Sequence, residues 1–213
     1  MNLWLDLYLD LYKYKPIKEI YVKSINDKVL VVHSKDEYLA KYVPFINQII
    51  IGEDLFSIQD KHRLNYILVH EYGHKKMNRI IFFILLSIGI FNMIIGVMGL
   101  ISSVVYFLLS FVKTELLMYY TFLIMFVSLF FLVIGILASW CLELYADLYA
   151  VRKIGMKEYF YLLDQRRKNP IIYKKKDFNY FVNYILHPPE KVTELIIRIF
   201  HKYIYTSEDI IVK

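Results

Sequence analysis

Two long stretches without a charged side chain constrain this chain more than any other feature. No charge occurs from Ile80 to Val112 and none from Leu116 to Leu142, and only Lys113-Thr114-Glu115 separates them. Each stretch exceeds the ~20 residues an α-helix needs to cross a bilayer core. They are expected to form a transmembrane helical hairpin. Two buried helices of a soluble protein are the competing reading. The 213 residues are 58% hydrophobic with a mean hydropathy of +0.41, which is too apolar for an ordinary soluble domain. That length still leaves room for one domain with a core of its own. Met1–Tyr14 carries Asp6 and Asp10 and has no basic leading region, so a cleaved signal peptide is not expected.

The net charge of +6 gathers beside these stretches. Lys75, Lys76 and Arg79 precede the first. Arg152, Lys153 and Lys157 follow the second, with Arg166, Arg167, Lys168 and Lys174–Lys176 further on. Basic residues favour the cytoplasmic side, so an integral protein of the cell membrane with both termini cytoplasmic is expected. Attraction to lipid phosphates accounts for the charge more simply than nucleic-acid binding does, and no nucleic-acid partner is expected. The single cysteine, Cys141, excludes an intramolecular disulfide and a cysteine-rich metal site.

Ahead of the first stretch stands His70-Glu71-Tyr72-Gly73-His74, the H-E-x-x-H pattern. On a helix the two histidines are four residues apart, about one turn, on one face. Two such imidazoles can share one zinc ion, whose open position holds a water, and Glu71 can take that water's proton. A chance pentamer on a polar helix face is the bland alternative. Ser57-Ile58-Gln59-Asp60 resembles a capping box and predicts the helix start. Leu64, Ile67, Leu68 and Glu71 carry helical spacing, and the helix is expected to run through Lys75–Arg79 into the first apolar stretch.

Beyond the second stretch, Glu143 and Asp147 are an acidic pair four residues apart. A solvated helix face is one reading. The better one makes Glu143 a third zinc ligand, with Asp147 accepting from the free ring nitrogen of a zinc-bound histidine. Gly155 is expected to end this helix.

The N-terminal part reads as a small β-element. Leu3, Leu7 and Leu11 fit one face of a short helix ended by Pro16, lying on the membrane or on the domain. Ile20-Tyr21-Val22 and Val29–His33 flank the Asn26-Asp27 turn signal and predict a hairpin. Asp36–Tyr42 suggests a short helix broken at Pro44. Phe45–Ile51, ending at Gly52, reads as a strand. That strand is either an edge able to take an extended peptide by strand addition or a core strand. In the apolar stretches, Gly89, Gly96 and Ser103 match Gly135, Ser128 and Thr121 in one antiparallel register, a small-residue seam for close helix approach. The same register sets Glu143 opposite Ile81 rather than His74, so the helices must tilt or bend below Gly89 if Glu143 is to reach the metal.

His70-Glu71-Tyr72-Gly73-His74, an apolar segment, and then Glu143-Leu144-Tyr145-Ala146-Asp147-Leu148-Tyr149-Ala150 together resemble the pattern of HtpX-type membrane metallopeptidases and the related CAAX prenyl endopeptidases. The likeness runs from about Lys41 to Arg198. It implies a mainly α fold with a small N-terminal β element, a zincin-like metallopeptidase domain interrupted by a two-helix transmembrane hairpin. The parts would be residues 1–79, 80–142 and 143–213. It further implies a zinc endopeptidase with one Zn2+ per chain, His70, His74 and Glu143 as ligands and Glu71 as general base. His187-Pro188-Pro189 is similar to an H-P-P stretch of the same family, which implies that His187 supports the developing oxyanion, with a helical Arg following; a helix-boundary residue is its plain reading. This chain departs in having no apolar hairpin before the motif and a longer spacing from His187 to Arg198. The expected partners are a protein or peptide substrate and the bilayer, with the active site at the cytoplasmic surface. A non-catalytic zinc-binding membrane sensor or regulator is the alternative, and a protease for lipid-modified peptides a third. His33, His62 and His201 lack partner motifs and are expected at the surface.

Overall fold

The structure is a computed structural model and describes residues 3–34, 39–57, 60–110, 115–168 and 185–206. It is mainly helical, with a small N-terminal sheet and two helices long and apolar enough to cross a membrane. The chain divides into two compact units. One takes in Met1–Met77, Tyr145–Tyr173 and Glu190–Lys213, the other Asn78–Leu144 and Lys174–Pro189.

The first unit opens with α1 (Leu3–Tyr12), β1 (Lys15–Val22), β2 (Asp27–His33), β3 (Ala40–Val43) and β4 (Gln48–Gly52). The sheet order is β1-β2-β4-β3; β2 and β4 are parallel and the outer pairs antiparallel. Strand alternation divides its residues between two cores. Val29, Val31, Ile49 and Ile51 face Leu68, Val69 and Ala150. Leu30, Val32 and Ile50 face Leu9, Leu39 and Val43. Ile49, Ile50 and Ile51 are fully buried, each contributing about 1.5–3 kcal/mol. The Phe45–Ile51 strand is thus a core strand from Gln48 on, and the edge beside it is β3. Pro44–Asn47 forms the turn, with Asn47 at φ 55°.

The expected β1–β2 hairpin forms with Asn26 at φ 52°. Two other expectations are corrected. Pro16 does not end α1, which stops when Lys13 turns left-handed at φ 56°. Pro16 instead sits at an irregularity of β1, an edge strand, where a missing N–H is tolerated. Of the two surfaces open to the Leu3, Leu7 and Leu11 face, the domain is not the one it meets: these leucines are exposed, and Leu5, Tyr8 and Leu9 pack on the sheet. The Lys41 ammonium, 4.3 Å from the Tyr12 ring centre and 5.2 Å from that of Tyr8, fastens this face to β3. Burial pushes the Tyr8 phenol above its ordinary value, with Tyr14 and Tyr12 adding to the effect. Ala40-Lys41-Tyr42 are strand rather than the expected short helix, because pairing with β4 buries Val43 and satisfies the backbone. Residues 35–38 of that expectation lie outside the described residues.

After α2 (Glu53–Phe56), α3 (Lys61–Lys76) carries the motif. Asp60 is its N-cap, accepting from the backbone N–H of His62 and Arg63, both at 3.1 Å. Ser57 instead closes α2. The cap is therefore three residues later than the expected box, and Ile58-Gln59 lie outside the described residues. α3 also stops sooner than expected. Met77 is extended at ψ 142°, and Asn78 caps a new helix by accepting from Ile80 N–H at 2.9 Å. A free Asx cap competes with helix continuation.

In the second unit, α4 (Arg79–Ser110) packs against the leading part of α5 (Glu115–Ile154). Large apolar side chains such as Phe91, Phe126 and Phe130 point outward, unlike the helices of a soluble core. The seam begins where expected: a Cβ on Gly135 would stand 3.0 Å from Gly89 O. It then slips. Gly96 faces Leu132 and Gly99 faces Ser128, so the single register does not hold along the helices. Ser103, Thr121 and Ser128 are all buried. Past Leu142, where the charge-free stretch ends, α5 continues for about three turns into the first unit, where Gly155 at φ +90° ends it as expected. α6 (Met156–Lys168) and α7 (Glu190–Thr206) complete that unit around Val151, Tyr159, Leu163 and Ile197.

Candidate metal centre

The last turns of α5 lie against α3 at Gly73. A Cβ there would meet Ala146 Cα at 2.9 Å and Ala146 O at 3.0 Å. Ala146 and Ala150 are fully buried. The small residues at the centre of both motifs are thus packing requirements: they let two helix backbones touch, which brings the side chains on either side of the contact together.

His70, His74 and Glu143 form a group that could hold a metal ion. Each offers a ligand atom, and these atoms lie within 4.8 Å of one another, all partly buried. The histidine rings meet edge to face at 5.1 Å. Asp147 is buried, and its Oδ1 accepts from His70 Nδ1 at 2.9 Å and from the Tyr66 hydroxyl at 2.8 Å. With Nδ1 engaged, His70 presents Nε2 to the group. Two imidazole nitrogens and one carboxylate are a donor set zinc accepts, with the outer hydrogen bond that zinc-bound histidines commonly have. On the chemistry of these donors, a zinc ion fits.

Glu71 lies on the same helix between the two histidines. One carboxylate oxygen accepts from the backbone N–H of Tyr42 on β3 at 2.7 Å. The edge strand and the expected base are therefore in contact. His187 comes close to Glu143, Nε2 to Oε2 at 3.1 Å. The segment carrying it is tied to α5 by Ser139 Oγ donating to Leu186 O at 3.1 Å and Trp140 Nε1 donating to Ile185 O at 2.9 Å. Arg198 is engaged elsewhere: its guanidinium donates to Glu194 at 2.8 Å and lies 4.7 Å from the Phe160 ring centre. His33 and His62 are exposed beside Glu53 and Glu158, as expected for surface residues. The side chain of His201 lies outside the described residues.

Sequence reasoning missed Tyr66, Tyr42, Ser139 and Trp140. Tyr66 alone had a local signal, being one helical turn before His70. Groups behind a metal ligand typically carry about 10–100-fold in affinity. Asp147→Asn is expected to lie toward the upper end of that range and Tyr66→Phe toward the lower, measured by zinc competition with a chromophoric chelator. Equal affinity in all three proteins would remove the relay from the site.

No family model, no curated protein and no solved structure matches the chain.

Proposed function

We propose that the chain is a membrane-embedded, zinc-dependent endopeptidase that hydrolyses peptide bonds in membrane or membrane-associated proteins. The observation that carries this reading is the grouping of His70, His74 and Glu143, with Glu71 between the histidines in sequence and touching an edge strand. A bound zinc would polarise the scissile carbonyl and acidify the attacking water. Glu71 accepts the water's proton and passes it to the departing amine nitrogen. β3 offers its backbone to an extended substrate beside Glu71, and His187 donates toward the carbonyl oxygen as charge develops. Asp147 holds His70 in the tautomer that leaves Nε2 for the metal. In this reading the two apolar helices serve as the membrane anchor of a zincin-like domain, and the basic flanks favour a site at the cytoplasmic surface.

The test is metal analysis and turnover on the full chain reconstituted in lipid. About one zinc per chain is expected, with proteolysis that stops on chelation and returns with added zinc. Stoichiometric zinc without cleavage of any membrane-protein substrate would favour the sensor reading. Cleavage that persists after the metal is stripped would end the proposal.

A further inference from the structure

The opposite side of α3 closes a second concave site. At 3.6 residues per turn, Tyr72 points about 200° around the helix from either histidine. Val69, Tyr72 and Lys76 form a stripe there. Together with Tyr149 and Lys153 of α5 and Ser24, Ile25 and Asn26 of the β1–β2 turn, they line a cavity of about 230 Å³.

Its polar lining is made of hydrogen-bond donors. Lys76 and Lys153 bring ammonium groups, which donate and cannot accept. Tyr72, Tyr149 and Ser24 bring hydroxyls. The Asn26 carboxamide oxygen takes the Tyr21 hydroxyl, which leaves its N–H groups as the free end. Among the described residues, no acidic side chain lines the cavity. Asp27, next along the turn, is neutralised by Lys75 at 2.6 Å. Among the described residues, neither Lys76 nor Lys153 has a carboxylate partner. The cavity therefore holds two ammonium groups beside neutral hydroxyls and an amide; Lys76 donates to the Tyr72 hydroxyl, and the one carboxylate that acts on it, Asp27, stands outside the lining and is already paired with Lys75.

We propose that this cavity binds the phosphate of a phosphate ester, with an anionic lipid headgroup as the favoured source. Lysine meets phosphate as a point charge, whereas a planar carboxylate is better matched by an arginine fork, and none is present in the lining. The hydroxyls and the Asn26 amide supply enough further donors for a tetrahedral group with several oxygens. The lipid source follows from chain length. Lys76 is three residues before Arg79, the first residue of α4, and three residues of chain reach at most about 11 Å. If α4 spans a bilayer, Lys76 lies within reach of the lipid phosphates. The inference is independent of zinc and of catalysis.

The test uses the full chain in nanodiscs of phosphatidylcholine, with and without phosphatidylglycerol, and in phosphatidylcholine with inorganic phosphate against chloride at equal ionic strength. The readout is the thermal unfolding midpoint. Ligands that bind only the folded state raise it. Wild type is expected to gain several degrees with phosphatidylglycerol. Lys153→Gln and, separately, Lys76→Gln should each lose most of that gain, while Lys157→Gln, outside the cavity, should keep it. A gain with inorganic phosphate that is lost in the same two variants would support the site with a soluble ester as its source. No gain with either probe, or equal gains in wild type and both cavity variants, would overturn the proposal. An equal loss in Lys157→Gln would also overturn it by showing only diffuse surface charge.

Discussion

Glu71→Gln is expected to bind zinc as tightly as wild type and to lose turnover by about 10²–10⁴-fold, the usual cost of removing a general base. Glutamine keeps the size of the side chain and can still accept the Tyr42 N–H, which Glu71 takes at 2.7 Å. It cannot take a proton from water. Folding, metal content and substrate affinity should therefore stand, and only the chemical step should fail. Zinc content and single-turnover cleavage on the same purified samples separate these quantities. His187→Ala, tested alongside, should also retain zinc and lose turnover by a separable factor if its imidazole supports the oxyanion. A Glu71→Gln protein that cleaves at the wild-type rate would end the assignment of Glu71 as base.

Gly73→Val is expected to empty the metal site as thoroughly as Glu143→Ala, although Gly73 supplies no ligand. The atoms nearest to an added Cβ are Ala146 Cα at 2.9 Å and Ala146 O at 3.0 Å. Both are backbone, so no side-chain rotation relieves the contact and α5 has to shift as a whole. Overpacking of this kind costs about 1–3 kcal/mol, roughly 5- to 150-fold in an equilibrium constant. The displaced segment is the one that carries Glu143 and Asp147. Zinc affinity should therefore fall by about fivefold or more in Gly73→Ala, and further in Gly73→Val. Gly155→Ala is the control. That position is left-handed at φ +90° with nothing within 4 Å, so alanine there strains the backbone by about 1–2 kcal/mol and lowers stability without changing zinc affinity. Equal zinc affinity in Gly73→Ala and wild type would show that the helix contact does not set the site.

The pentamer His70–His74 was legible because four-residue spacing on a helix needs no tertiary information to put two rings on one face. Glu143 and Asp147 were legible as a pair for the same reason. The β1–β2 hairpin and the end of α5 at Gly155 could be read from turn chemistry, since Asn26 and Gly155 do adopt positive φ. The failures have a common cause. Asp36–Tyr42 has no strong strand pattern of its own, and β3 forms in Ala40–Val43 because Ile49–Ile51 offer it an open backbone and a buried face. Which side of α1 meets the domain was not legible because leucines occupy both sides, and only the sheet beneath selects Leu5 and Leu9. The seam of α4 and α5 slips because Leu132 fills the space beside Gly96, a packing choice invisible in residue size alone.

Local features were therefore readable from the residues: two helices without charge, a histidine pair, an acidic pair, and the glycine and asparagine turns. Each follows from periodicity or from a single residue's allowed φ. The tertiary structure alone decided that the two pairs meet. Within the first unit, Gly73 and Ala146 let two backbones touch, and Tyr66 reaches Asp147 across 81 positions of chain. Contacts at such separation carry no period that a sequence can display, because they are fixed by volume and hydrogen bonding only after the elements have packed.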